Sequence, residues 1–108
     1  MRKGHLVFLP IILLMATAHA DSSEYRLILK NHRFEPASLA VPAGEKFKLI
    51  IENQDPTPEE FESHTLNREK IVPGHGQIIL YLGPLNTGSY PFFGEFNPTT
   101  ATGNIVAR

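Results

Sequence analysis

The chain has 108 residues with no cysteine and no tryptophan, and its formal charge is −1. That composition excludes disulfides, thiolate metal ligands and a lipidated N-terminal cysteine, and it lacks the clustered basic face expected of a nucleic-acid binder. A chain of this length makes one domain with a modest core held by packing alone.

The first twenty residues read as a signal peptide. Arg2 and Lys3 form a basic start, Leu6 to Met15 is almost wholly apolar, and Ala18-His19-Ala20 supplies the small-x-small pattern of a cleavage site. The apolar run is shorter than the roughly 20 residues a membrane-crossing helix needs. The expectation is therefore an exported domain, residues 21–108, with no membrane insertion after cleavage. Removing the leader takes away two basic residues and no acid, leaving 8 against 11 and a formal charge of −3.

From Tyr25 onward, short alternating runs are punctuated by Pro and Gly, the pattern of an all-β sandwich. Tyr25, Leu27 and Leu29 define the apolar face of a first strand, and Asn31-His32 begins the connection out of it. Phe34, Leu39 and Val41 lead into the turn Pro42-Ala43-Gly44. Phe47, Leu49 and Ile51 share one face of the next strand. The stretch Asn53 to Glu60, NQDPTPEE, reads as a loop on its two prolines and its acids. Short strands follow at Phe61–Ser63, Glu69–Val72 and Gln77–Leu82, with tight turns at 64–68 and 73–76. The last third, Gly88 to Ala107, reads as a strand at Tyr90–Phe93, a polar loop opened by Gly94 and closed by Gly103, and a strand at Ile105–Ala107. Strands that alternate in direction gather His32, Asp55, Glu59, Glu60, His75, Glu95 and Asn97 at one end, with Glu62 just inside it.

Phe34-x-Pro36, Leu39-x-Val41-Pro42-Ala43-Gly44, Leu49-x-Ile51-x-Asn53, Gly88-x-Tyr90-x-Phe92 and Gly103-x-Ile105-Val106 together resemble the framework of cupredoxins. The words EFES (Glu60 to Ser63), REK (Arg68 to Lys70), VPG (Val72 to Gly74) and FFGEFNPTTATG resemble the cupredoxin-like domain of EfeO-type periplasmic iron-uptake proteins. The likeness implies an antiparallel Greek-key β-sandwich in the bacterial periplasm, working with other components of a periplasmic or inner-membrane iron transporter.

Blue-copper proteins hold their metal with two His, one Cys and a weak axial Met. On the matching framework the first His position falls at or beside Glu62, the Cys position at Gly94, the second His position at Asn97 and the Met position near Thr100 or Ala101. Without the thiolate, a type 1 copper centre is excluded. Glu62, Glu95 and the amide carbonyl of Asn97 instead suit a hard ion, iron or cupric copper, with an imidazole from His75 or His64 as a further donor.

Each of these residues also has a simpler reading. Glu62 and Glu95 could be exposed acids or partners of Arg68 or Lys70, His64 a solvent-exposed ring, His32 a capping residue, and the acids of NQDPTPEE a solvated loop that docks a basic surface. Phe92, Phe93 and Phe96 read as core and loop anchors. No nucleophile, phosphate loop or zinc-type His pair supports catalysis. Two functions follow: a metal-binding accessory of iron uptake, or a metal-free interaction module of the same system.

Overall fold

The computed structural model describes Ser23–Arg108, together with Gly4; the expected leader, its cleavage site and Asp21 lie outside the described residues. Nine strands follow in chain order: β1 (Ser23–Lys30), β2 (Arg33–Glu35), β3 (Ser38–Val41), β4 (Phe47–Asn53), β5 (Glu59–Ser63), β6 (Arg68–Val72), β7 (Gln77–Leu82), β8 (Gly88–Gly94) and β9 (Thr102–Ala107). They form two sheets, ordered β2-β1-β4-β7 and β3-β9-β8-β5-β6. The expected all-β sandwich is thus observed. Two of its pairings, β1 with β4 and β3 with β9, are parallel, and the rest are antiparallel.

Residues 33–41 supply two strands in different sheets. The chain leaves the first sheet after Glu35 and joins β9 from Ser38 onward, with Pro36 between them removing a ladder donor. Asn31 and His32 form the two-residue turn between β1 and β2. Both have positive φ, 53° and 54°, as a hairpin turn matched to the strand twist requires.

Alternation along each strand turns one apolar row inward. Leu27, Leu29, Leu49, Ile51, Leu80 and Leu82 come from one sheet and Phe61, Val72, Phe92 and Ile105 from the other, all buried. Phe34, Phe61 and Phe92 pack together, with Phe34 edge-on to Phe92 at a centroid distance of 5.1 Å and Phe61 at 5.3 Å from Phe92. Phe61 pairs with Gly94 across β5 and β8, so this aromatic group supports the base of the 95–101 loop.

Ser63, buried at the far end of β5, donates its hydroxyl to the Pro91 carbonyl at 2.7 Å. Ser63→Ala is expected to cost about 1 kcal/mol through the orphaned carbonyl, read as a lower urea midpoint with an unchanged slope. On the open flank, where β6 and β7 are the outer strands of their sheets, the Arg68 guanidinium donates to the Tyr81 carbonyl at 3.4 Å. A charged side chain laid over a strand edge discourages further pairing there.

Candidate functional site

Because β1 runs parallel to β4 and the hairpins alternate, segments 31–32, 54–58, 73–76 and 95–101 all lie at one end of the sandwich. This is the end anticipated from strand counting. Within it, the predicted ligands separate onto three surfaces.

The interior position belongs to Glu59. The strand β5 begins there, two residues earlier than expected, because Glu59 shares the inward face with Phe61 and Ser63. Its side chain is 1% exposed. Oε1 accepts the Phe96 N–H at 2.8 Å and the Glu60 N–H at 3.0 Å, and Oε2 accepts the Asn97 amide at 2.8 Å. A buried carboxylate is costly unless such donors surround it.

Gly94 lies directly against this group. A Cβ built on it would stand 2.5 Å from Glu59 Cδ and 2.8 Å from the Ala101 methyl. Two sequence expectations are corrected here. The β5 residue facing Gly94 and Asn97 is Glu59, not Glu62, and Glu59 is no part of a solvated loop. The Asn97 side-chain nitrogen donates inward to Glu59, and its backbone carbonyl accepts the Thr100 and Ala101 N–H groups. The residues present do not fit a type 1 copper centre: a carboxylate fills the space and no thiolate borders it.

Glu62 and Glu95 do come together, on the outer face of the five-stranded sheet. Glu62 pairs laterally with Glu69 and Phe93, and the Glu95 N–H bonds to the Glu60 carbonyl at 2.9 Å. Glu60, Glu62, Glu69 and Glu95 therefore share one surface. The Glu62 carboxyl is raised above its ordinary range, first by a hydrogen bond with the Glu95 carboxyl, then by burial and the charges of Glu95 and Glu69, with His64 opposing. Burial, then a hydrogen bond with Glu69 and the surrounding charges, raises Glu60 likewise.

His64 Nδ1 lies 3.9 Å from Glu62 Oε1, and its ring, 78% exposed, lies against Phe93 at 5.5 Å. Among the described residues, no ion pair joins Glu62 or Glu95 to Arg68 or Lys70. Nor does any group of three His, Asp or Glu side chains among them stand ready to hold a metal ion. Phe92 is core as expected, whereas the Phe96 ring is 51% exposed and only its backbone is anchored.

His75 belongs to a third arrangement. Its N–H bonds to the Asp55 carbonyl at 2.8 Å, apart from the glutamates. Asp55, expected in a solvated loop, is instead buried and accepts the Asn31 and His32 N–H groups at 2.8 and 2.9 Å. Burial alone would raise its pKa; the two backbone donors, with the charges of His32 and His75, outweigh it and hold the carboxyl below the ordinary value. His32 thus plays the hydrogen-bonding role anticipated for it.

Two stacked sheets with one end closed by the 95–101 loop define a cupredoxin-type sandwich. The chain belongs to the family described as cupredoxin-like domain, which it matches over residues 5–107. It is 47% identical over 85 residues to an uncharacterized protein of Rickettsia prowazekii (strain Madrid E), covering 79% of this chain and 68% of that one. The fold is similar to auracyanin A, a blue copper protein of Chloroflexus aurantiacus (TM-score 0.69, 11% identity, 81% of this chain and 99% of that one). It is also similar to the metal-binding domain of the Cu(I)-exporting P-type ATPase CopA of Streptococcus pneumoniae D39 (TM-score 0.66, 12% identity, 79% and 84%).

Proposed function

We propose that this is an exported, periplasmic accessory domain of an iron-uptake system that takes a hard cation, iron or cupric copper, on its outer carboxylate face and performs no type 1 copper electron transfer. The observation that carries this reading is the placement of Glu62 and Glu95 side by side on the outer face, flanked by Glu60 and Glu69. Four acids crowded onto one face repel one another, and a cation bound among them relieves that repulsion. Glu62 and Glu95 supply two oxygen donors, with solvent completing the shell. Asn97 and His75, tied to Glu59 and to the Asp55 loop, are left out of the ligand set.

A second reading, a metal-free module whose acidic face docks a basic surface of another transporter component, is favoured by the lack of a ready three-residue ligand group among the described residues. Calorimetric titration of metal-stripped protein with ferrous, ferric and cupric ions separates the two. The metal reading expects saturable binding, abolished in Glu62→Ala and Glu95→Ala and retained in His75→Ala. Binding no tighter than millimolar, or binding indifferent to Glu62 and Glu95, leaves the docking module.

A further inference from the structure

We propose that Glu59 is a built-in clasp, its carboxylate doing without metal what a bound ion does when it ties a strand to a ligand loop, and that through this clasp it positions Glu95 beside Glu62. The first half stands on geometry alone; the second rests on the metal-binding reading of the outer face.

Three donors from two segments converge on the one carboxylate: Glu60 N–H from its own strand, and Phe96 N–H and the Asn97 amide from the 95–101 loop. Nothing else buried competes for it, and no buried side-chain nitrogen or oxygen among the described residues lacks a partner. Gly94 is the complementary half of the device, since its missing Cβ is the space the carboxylate occupies.

The clasp lies one residue from Glu60 on β5 and, through Phe96, one residue from Glu95 on the loop. Glu60 follows Glu59 and has its carbonyl bonded to Glu95 N–H, and Phe96, whose N–H the clasp holds, follows Glu95. Inward hydrogen bonds at Glu59, Phe96 and Asn97 thereby fix the backbone from which Glu95 projects outward. The loop closes itself with short bonds, Gly94 N–H to the Ala101 carbonyl at 2.8 Å and Asn97 N–H to the Gly94 carbonyl at 3.1 Å. Glu59 supplies side-chain bonds that cross from this loop to β5. Such a device is independent of metal supply, so the loop is closed before any cation arrives.

The test is amide hydrogen exchange of the full domain in chelator. Phe96 N–H is expected to be protected in the wild type without metal. Glu59→Leu, similar in bulk but without an acceptor, is expected to speed Phe96 exchange by at least about tenfold while β1 and β4 amides keep theirs, and Glu59→Gln, which keeps an acceptor oxygen, is expected to retain most of the protection. Asn97→Ala, which removes one donor and leaves the core intact, is expected to give an intermediate rate and serves if Glu59→Leu does not fold.

Phe96 exchange unchanged in Glu59→Leu or in Asn97→Ala overturns the clasp, as does protection that appears only on adding metal. For the positioning role, Glu59→Leu is expected to weaken cupric binding at the outer face about tenfold while Glu59→Gln restores it; equal affinities overturn that half. Because the exchange measurement contains no metal, the clasp stands or falls on it whether or not the outer face binds a cation.

Discussion

Gly94→Ala is expected to destabilise the domain by about 3 kcal/mol, the upper end for forcing an extra methyl into a packed interior. The added carbon meets both the Glu59 carboxyl and the Ala101 methyl. Glu59 cannot retreat without giving up the Phe96 and Asn97 bonds, and Ala101 is wholly buried and held by its own N–H to the Asn97 carbonyl at 2.9 Å. The strain therefore spreads into the loop rather than relaxing locally. Equilibrium urea unfolding measures it, and combining Gly94→Ala with Glu59→Ala, which empties the obstructed space, is expected to cost less than the two changes summed. Additive costs would mean that the two residues do not share this space.

Asp55→Ala carries the second large effect, about 2 to 3 kcal/mol for two hydrogen bonds to a charged acceptor. Both bonded N–H groups belong to residues with positive φ, so the carboxylate stabilises a turn whose backbone conformation is uncommon outside glycine. Its pKa is lowered on folding, so its contribution is full above the ordinary carboxylate value and fades as pH falls through the folded value.

The outer glutamates act with the opposite sign. The raised pKa values of Glu60 and Glu62 mean that the folded state takes up protons more readily than the unfolded one, so their mutual repulsion weighs on stability at neutral pH and is relieved on acidification. Removing Asp55 is thus expected to leave a protein whose stability declines less toward acid, or even rises, where the wild type's falls. A parallel pH dependence in the two proteins would contradict this assignment of Asp55.

The strands were legible because alternation is local: Leu27 and Leu29, Leu49 and Ile51, and Ile78, Leu80 and Leu82 mark their buried faces without reference to anything distant. The two buried acids were not. Asp55 and Glu59 sit among prolines and other acids, and composition there describes a solvated loop; what buries them are donors at 31–32 and 96–97, more than twenty residues away. A clue to Glu59 was present in its parity with Phe61 and Ser63, and a second in Gly94, a glycine at a position where the fold family places a side chain.

Glu62 and Glu95 could be brought to one place by strand counting, but the face they occupy depends on which residue of β5 turns inward, and a one-residue difference in phase separates an interior ligand from a surface one. The parallel pairings of β1 with β4 and β3 with β9 were equally hidden, since direction of pairing between distant segments leaves no local trace.

The placement of β9 governs how the domain comes together in time. This strand, last in chain order, lies between β3 and β8 inside its sheet rather than at an edge. Until residues 102–107 are available, β3 has no neighbour in its own sheet, and β8, β5 and β6 stand apart from it. Assembly must then await residues 102–107, with a high contact order and correspondingly slow folding, and the partly made domain stays open for as long as β9 is withheld.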